Sequence, residues 1–139
     1  MTAYLDSSVL LRIMLGQSGP LKEWKTVRRG VASAMVEVEC LRTLDRLRVR
    51  SGVADVEIAR RRETVFRLLE TIEIVEPTRA VLARASQPLP TELGTLDAIH
   101  LATAMLWRES NDIDLVMATH DLALGIAARS CGLRVIGIA

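Results

Sequence analysis

The fold class is decided by the segment DLVMATHDLALGIAARSCGLRVIGI, residues 114–138. A buried strand is predicted at 114–118, an amphipathic helix at 122–130 and a last strand at 133–138. Gly132 marks the end of the helix, because glycine readily adopts the left-handed backbone at which helices stop. Two strands joined by a crossover helix form the unit from which parallel sheets are built. The segment therefore predicts an α/β fold with a parallel sheet.

The rest of the chain continues this alternation of short strands and helices. Further strands are predicted at 2–5, 31–32 and 72–75, and helices at 9–15, 33–44, 78–85 and 94–106, with a short polar helix at 21–29. The expected N-caps are hydroxyl side chains, which accept hydrogen bonds from the first turn of a helix: Ser7 or Ser8, Ser33, Thr78 and Thr95. No repeat, low-complexity tract or linker interrupts the pattern. We predict one domain over residues 1–139.

Composition narrows the class of protein. Half of the 139 residues are apolar but only four are aromatic, so the core must be mainly aliphatic. No basic and apolar leader opens the sequence, and no apolar run is long enough to span a membrane. The two cysteines, Cys40 and Cys131, are too few for a disulfide framework and lack metal-ligand spacing. These features predict a cytoplasmic protein without a membrane association.

Residues 44–70 are predicted to form two helices joined at Ser51-Gly52, a helical arm rich in arginine. Lys and Arg outnumber Asp and Glu by 13 to 8 in residues 1–67, whereas acids outnumber bases by 9 to 5 in residues 68–139. Such asymmetry is typical of a face that binds a polyanion, but solvated helix surfaces give the same counts. The sequence leaves both interpretations open, including whether Arg60-Arg61-Arg62 contacts a substrate.

Four acidic residues are predicted to converge on one edge of the sheet. Asp6 and Asp121 follow buried strands, and the carboxyl ends of parallel strands meet at the same edge. Asp97 lies in the first turn of a helix that is apolar nearly all round, where a carboxylate is costly to bury without a partner. Glu39 lies near the start of another helix and, unlike Glu37, is expected to face the protein body. Simple capping of a helix start remains the alternative for Asp6 and Asp97, and an ordinary solvated acid is the alternative for Glu39.

A hard divalent cation would relieve the repulsion among four carboxylates. Mg²⁺ and Mn²⁺ prefer carboxylate oxygens, and zinc is disfavoured because no cluster of His and Cys is present. Such a site suits cleavage of a phosphodiester.

A phosphotransfer domain also uses an Asp after its first strand, but it needs a lysine near the phosphoryl group. The only lysines here, Lys22 and Lys25, lie far from any strand end. A binding module that had lost an acid is the third alternative, and all four acids are present.

Four stretches resemble, in order, the sequence blocks of PIN-domain ribonucleases: Leu5-Asp6-Ser7-Ser8, residues 33–42, residues 96–104 and Thr119-His120-Asp121-Leu122. The length and compact spacing resemble the VapC toxins of type II toxin–antitoxin pairs. The run DAIHLATA, residues 97–104, is the most specific part of the match. Ser7 departs from the family pattern, which often has Thr there. The resemblance covers essentially the whole chain and implies a three-layer α/β/α fold around the parallel sheet.

The resemblance also implies roles for particular residues. Asp6, Glu39, Asp97 and Asp121 would be the catalytic acids, with Mg²⁺ or Mn²⁺ held by Asp6, Asp97 and Asp121. Ser8 and Thr119 would be donors that orient carboxylates. The implied activity is endonucleolytic cleavage of RNA, and the implied partners are a cognate antitoxin and a second copy of the chain in a homodimer. DNA would be contacted only through the antitoxin. A PIN-like nuclease outside any toxin–antitoxin pair is the alternative.

The two histidines lie close to these acids in sequence. His100 follows Asp97 by three residues, and we expect it to be a structural residue that is hydrogen-bonded inside the fold. His120 lies between Thr119 and Asp121, and we expect it to point to solvent or to RNA.

Overall fold

The computed structural model describes residues 1–138 and contains a single five-stranded sheet in that part of the chain. The strands are β1 (Thr2–Leu5), β2 (Arg29–Ser33), β3 (Glu73–Val75), β4 (Val116–Ala118) and β5 (Arg134–Ile136). Their order is β3-β2-β1-β4-β5, and every neighbouring pair is parallel. The predicted parallel sheet is confirmed, with the first strand of the chain at its centre.

Between residues 1 and 138, six helices connect the strands: α1 (Ser7–Met14), α2 (Met35–Ser51), α3 (Asp55–Glu70), α4 (Arg79–Ala85), α5 (Thr95–Asn111) and α6 (Leu122–Ser130). The polar helix predicted for residues 21–29 is only a 3-10 turn at Trp24–Thr26, because that stretch has too few apolar positions to bury a helical face. Within residues 1–138, no helix is long and apolar enough to cross a membrane.

The two faces of the sheet carry separate apolar cores. On one side, Leu5 packs with residues of α1, α2 and α3 such as Val9, Val36 and Val65. On the other side, Tyr4 packs with residues of α5 and α6 such as Leu101. Successive side chains of a strand point to opposite faces, so β1 contributes to both cores. This arrangement is the three-layer α/β/α architecture that the resemblance implied.

Helix α5 is the most buried helix of the fold. Eight consecutive residues, 98–105, are buried, and α5 packs against the sheet, α4 and α6. The prediction that this helix is apolar nearly all round because it is enclosed is confirmed. Its buried position holds the first turn, and with it Asp97, in a fixed place above the sheet.

Helices α2 and α3 are joined where the sequence predicted, at Gly52, which has a left-handed backbone with φ +63°. The helix predicted at 33–44 and the first helix predicted within 44–70 are a single helix, α2, because no residue between them interrupts the helical pattern. Ile58 and Val65 of α3 are buried, so the arm packs on the domain along that face. Its arginines largely meet neighbouring acids: Arg60 and Arg61 both pair with Glu57. Many of the arginines in the arm therefore take part in ordinary ion pairs on the helix surface, which contribute little stability.

Two of the predicted caps are wrong. The N-cap of α1 is Asp6, since Ser7 and Ser8 are already helical and their hydroxyls bond to carboxylates. Gly94 precedes α5, because Thr95 has already entered the helix. Ala34 stands at the N-cap of α2, but the hydroxyl of Ser33 still accepts a hydrogen bond from the first amide of the helix, that of Met35, at 3.1 Å. Thr78 caps α4, as its side chain accepts a hydrogen bond from the Val81 amide.

Candidate active site

The carboxyl ends of β1 and β4 place Asp6 and Asp121 at one edge of the sheet. Leu5 is in register with Ala118, and the Asp6 amide donates to the Ala118 carbonyl at 3.1 Å. After each of these strands the chain continues into a helix, α1 after β1 and α6 after β4, at that edge. The edge is thus built by the two ends of the chain, as the sequence predicted.

Asp6 is held by two hydroxyl groups. Its side chain is buried, and its Oδ2 accepts hydrogen bonds from Ser8 Oγ at 2.7 Å and from Thr119 Oγ1 at 2.8 Å. Thr119 Oγ1 in turn accepts from the Asp121 amide at 3.0 Å, and Ser8 Oγ accepts from the His120 amide at 3.0 Å. The two turns are therefore fastened together around one carboxylate oxygen. Ser8 and Thr119 make the bonds that an orienting role requires.

Glu39 reaches the same region from the second turn of α2. Its Oε1 lies 2.5 Å from His100 Nε2, and its Oε2 accepts from Ser7 Oγ at 3.0 Å. Glu37 is exposed, so the two acids face in different directions, as the helical spacing predicted. His100 Nε2 also lies 3.9 Å from Asp6 Oδ1. His100 therefore stands between two of the four acids.

His100 is fully buried and bonded at both ring nitrogens. Nδ1 lies 2.6 Å from the Tyr4 hydroxyl, which also accepts from the Ser33 amide at 3.2 Å. The prediction of a hydrogen-bonded histidine inside the fold is confirmed. Sequence reasoning missed Tyr4, although one signal was available. A tyrosine in a buried strand, two residues before Asp6, requires a partner for its hydroxyl.

Asp121 and Asp97 lie at the starts of α6 and α5. Asp121 is the N-cap of α6, and its Oδ1 accepts from the Leu124 amide at 3.1 Å. Asp97 is half-buried in the first turn of α5. Capping is thus one function of Asp121, whereas the Asp6 side chain makes no cap bond.

His120 is half-buried and its ring nitrogens do not face solvent, so the expectation of a solvent-facing side chain is wrong, whereas contact with RNA stays a prediction. Its Nδ1 bonds to the carbonyl of Gly137 at 2.8 Å, and its Nε2 is buried without a partner among residues 1–138. Gly137 has φ +100°, and a Cβ there would lie 2.4 Å from the Thr119 carbonyl oxygen. The close approach of the chain after β5 turns the histidine inward. Sequence reasoning missed Gly137 because its contact with Thr119 joins segments that are distant in sequence.

The electrostatics of the edge reflect crowded negative charge. Burial raises the pKa of Asp97 to about 6, repulsion from Asp121 and Asp6 adds to the rise, and His100 opposes it. Burial alone would lower the pKa of His100, but the hydrogen bond and charge of Glu39, with the charges of Asp6 and Asp97, outweigh it and raise that pKa. The acids are therefore close enough to influence one another, and His100 is the basic group that lies between them.

The donor set fits a hard cation. The candidate ligands Asp6, Asp97 and Asp121 offer carboxylate oxygens only, which suits Mg²⁺ or Mn²⁺. In residues 1–138, no three His, Cys, Asp or Glu side chains are gathered as a ready metal-binding group. The raised pKa of Asp97 indicates uncompensated charge that a cation would relieve. The chemistry of the donors fits, although the side chains do not form a closed ligand set.

Comparison with known proteins agrees with this geometry. A family model described as the PIN domain matches residues 3–125. The chain belongs to the PIN-domain family. This PIN domain is 33% identical over 137 residues to "Ribonuclease VapC46" of Mycobacterium tuberculosis, with 96% of the chain and 95% of that protein covered. The resemblance to PIN-domain proteins of the VapC type is confirmed.

A solved structure shares the fold at lower identity. A chain of a "Toxin-antitoxin complex from Klebsiella pneumoniae" superposes on this PIN domain with a TM-score of 0.67. The match covers 100% of this chain and 96% of the other, at 16% identity. At that identity the likeness is one of fold alone.

Proposed function

We propose that this protein is a metal-dependent endoribonuclease and the toxin of a type II toxin–antitoxin pair. The observation that carries the proposal is the buried Asp6 carboxylate, fixed by Ser8 and Thr119 beside Asp97 and Asp121. A rigid cluster of oxygen donors at a sheet edge is the arrangement that metal-assisted phosphodiester hydrolysis requires. The likeness to a protein named as a VapC ribonuclease supports RNA as the substrate.

Asp6, Asp97 and Asp121 would hold Mg²⁺ or Mn²⁺. A bound cation would lower the pKa of a water molecule and offset the negative charge of the phosphate. The two hydroxyl bonds to Asp6 Oδ2 fix the orientation of that carboxylate and leave Oδ1 on the side of His100. Asp121 is fixed by its bond to the α6 amide. Because these carboxylates are already held in place, binding of Mg²⁺ or Mn²⁺ would cost little conformational entropy.

Glu39 would orient the attacking water and take its proton. Its two oxygens are held by His100 Nε2 and Ser7 Oγ, so the carboxylate is fixed at both ends. The hydrogen bond and charge of Glu39 raise the pKa of His100, so the pair favours a proton between Nε2 and Oε1. His100 and Tyr4 act as positioning residues, since they reach the reaction only through Glu39.

The partners follow from the proposed class. A cognate antitoxin would neutralise the enzyme, and the chain would form a homodimer that meets DNA only through the antitoxin. The structural neighbour supports the antitoxin, because it comes from a complex of that kind. The place of action would be the cytoplasm, where RNA is abundant.

The test is cleavage of RNA by the purified protein with Mg²⁺ or Mn²⁺. We expect EDTA to abolish cleavage, and Asp6→Asn or Asp97→Asn to abolish both cleavage and growth inhibition on expression. Asp45→Asn is the matched control, since Asp45 is a surface acid of α2 that pairs with Arg42 and Arg48. Full cleavage in EDTA, or toxicity retained in Asp97→Asn, would refute the mechanism.

A further inference from the structure

Three cations lie together beside α1 without an acidic partner. They are Arg12 of α1 and the two lysines of the chain, Lys22 and Lys25, in the segment between α1 and β2. None of them forms an ion pair with a residue between 1 and 138. Many arginines of α2 and α3, by contrast, pair with acids of their own helices. The segment after α1 therefore carries positive charge that the fold itself does not neutralise.

Two adjoining cavities lie between α1 and this segment. The residues that line the first cavity, of about 320 Å³, include Arg12, Lys22, Glu23 and His120. Those that line the second, of about 390 Å³, include Arg12, Lys22, Trp24 and Lys25. Arg12 and Lys22 thus belong to both cavities. Sites of a few hundred Å³ accommodate small organic ligands about the size of a nucleotide.

The cations and the indole of these cavities fit the two ends of a nucleotide. Arg12 Nη1 donates to the Gly19 carbonyl at 3.0 Å, which holds the guanidinium over the loop and leaves its other N–H groups for a ligand. A guanidinium and an ammonium are the side-chain groups that bind phosphate most strongly. The half-buried Trp24 supplies an aromatic surface, and stacking on such a surface is how proteins hold a base without reading its sequence.

Two hydrogen-bond acceptors in the first cavity exclude a simple anion as the best ligand. His120 Nδ1 bonds to the Gly137 carbonyl and so carries a proton, which makes Nε2 of a neutral ring an acceptor. That Nε2 is buried without a partner among residues 1–138. The half-buried carboxylate of Glu23 forms no ion pair there either. Inorganic phosphate would be repelled by that carboxylate, whereas a ribonucleotide brings hydroxyl and amino donors as well as a phosphate.

The cavities are separate from the acidic edge but adjacent to it. The four acids are not among the residues that line them. The His120 amide donates to Ser8 Oγ, which donates to Asp6 Oδ2, so one hydroxyl links the turn beside the first cavity to the Asp6 carboxylate. Arg12 follows Ser8 by one turn of α1 and lies on the same side of the helix. Lys22 is therefore nearer to the end of a strand than its place in the sequence predicted.

We propose that the two cavities form a nucleotide-binding site, with the phosphate on Arg12 and Lys22 and the base against Trp24. His120 and Glu23 would accept hydrogen bonds from the ribose or the base. The ligand is either a free ribonucleotide or a nucleotide of an RNA strand that continues from the acidic edge. The second source rests on the proposed ribonuclease activity, whereas the first does not.

The first arm of the test measures binding of AMP, GMP, CMP and UMP by calorimetry in the presence of EDTA. For the nucleotide that binds best, Arg12→Gln, Lys22→Gln and Trp24→Leu should each raise Kd about tenfold, the loss typical of one charge-assisted contact or one stacked base. Quenching of tryptophan fluorescence gives a second readout. It reports on Trp24, because the other tryptophan, Trp107, is buried.

Matched controls and a second probe exclude general effects of charge and of aromatic groups. Arg50→Gln removes an exposed arginine at the end of α2, and Phe66→Leu removes an exposed aromatic ring whose face meets Arg62 at 5.7 Å. Both variants should bind the nucleotide as the parent does. Inorganic phosphate should bind at least tenfold more weakly than the nucleotide. Equal binding of phosphate would overturn the assignment of a nucleotide.

The second arm distinguishes the two sources of the nucleotide. Binding of a fluorescent single-stranded oligoribonucleotide is measured in EDTA over a range of salt concentrations, with and without a saturating mononucleotide. If RNA occupies the site, the mononucleotide should weaken RNA binding at least fivefold, and Arg12→Gln should reduce the salt slope by about one. If a free nucleotide is the ligand, it should bind as in the first arm and leave RNA binding unchanged.

The outcomes separate this site from the proposed function. If neither a mononucleotide nor RNA quenches Trp24, or if the three variants bind both as the parent does, the nucleotide site is overturned even where the parent cleaves RNA. If the variants bind nucleotides normally but a co-expressed antitoxin more weakly, the cavities belong to a protein partner and the proposal is again overturned. If nucleotides bind as expected but the parent cleaves no RNA with Mg²⁺ or Mn²⁺, the proposed function fails and the site stands.

Discussion

His100 Nε2 lies 2.5 Å from Glu39 Oε1, and the histidine is fully buried whereas the glutamate side chain keeps 19% of its surface exposed. The two residues come from different layers, α5 and α2, and their contact crosses the carboxyl edge of the sheet. A buried histidine bonded to a carboxylate on one side and to Tyr4 on the other has one orientation available. The position of Glu39 therefore depends on a residue that touches no substrate.

Replacing His100 should impair the reaction more than binding. In His100→Gln, Glu39 loses the partner that fixes its Oε1, so we expect kcat for RNA cleavage to fall by roughly 10-fold to 100-fold while KM changes little. Steady-state kinetics on a single RNA substrate would measure the split. Tyr4→Phe should show a smaller loss, since it removes only the bond to Nδ1. A rise in KM with kcat unchanged would contradict the positioning role.

Stability in EDTA should fall as the pH rises. The folded protein binds the Asp97 proton more tightly than the unfolded chain, because the pKa rises from 3.8 to about 6. The stabilisation is therefore present below about pH 4 and lost as the pH passes 6. His100 acts in the same direction, since its pKa is also raised and its contribution is lost above the ordinary value of 6.5. Urea unfolding at pH 4 to 8 would follow both losses.

Asp97→Asn should remove the lower part of that pH dependence. At pH 7 in EDTA the variant should be more stable than the parent by on the order of 1 to 2 kcal/mol, a value discounted for the partial exposure of Asp97. Addition of Mg²⁺ should stabilise the parent and leave the variant nearly unchanged. An equal effect of Mg²⁺ on both proteins would argue against Asp97 as a ligand.

Thr119→Val should damage the cluster while keeping the shape of the side chain. The change removes the donor to Asp6 Oδ2 and leaves the Asp121 amide without its acceptor. We expect a loss of about 1 to 3 kcal/mol in the free energy of unfolding and a 10-fold to 100-fold loss of Mg²⁺ affinity or activity. Thr64→Val is the control, because that hydroxyl bonds only to a carbonyl of its own exposed helix. Similar effects of the two changes would exclude a special role for Thr119.

Gly137→Ala should be far more harmful than Gly52→Ala. Both glycines have positive φ, +100° and +63°, so both substitutions carry backbone strain. A Cβ at Gly137 would also meet the Thr119 carbonyl oxygen at 2.4 Å, whereas nothing lies within 4 Å at Gly52. We expect about 1 kcal/mol for Gly52→Ala and at least 2 to 3 kcal/mol for Gly137→Ala, measured by thermal or urea unfolding. The larger change should also displace Thr119 and lower activity.

The parallel sheet and the order of strands and helices along the chain could be predicted because they depend on local patterns. Short apolar strands alternate with amphipathic helices, and Gly132 and Thr78 act where the chain itself indicates an end or a start. The positions of Asp6 and Asp121 followed from the rule that parallel strands end at one edge. The caps at Ser7 and Ser8 were wrong because the sequence does not show whether a hydroxyl bonds to its own helix or to a carboxylate. The cap at Thr95 was wrong by one residue, since local patterns define the ends of a helix only to within a residue or two.

The connections inside the site could not be predicted for a related reason. Tyr4 and His100 are 96 residues apart, and Glu39 and His100 are 61 apart. Their contact depends on how α2 and α5 are set against the sheet, which no local pattern encodes. The inward turn of His120 depends likewise on the chain after β5. The roles of the four acids stay predictions, since the geometry brings them together without testing the chemistry.

The bond between Thr119 and Asp6 joins positions 113 residues apart in a chain of 139. Strand β1 lies at the centre of the sheet, and its neighbour β4 is separated from it in the chain by β2, β3 and five helices. The bonds around Asp6 can therefore form only after the whole stretch from β1 to Thr119 has folded onto one sheet. The site is completed by long-range contacts late in folding, so a partly folded chain has the acids without their fixed arrangement.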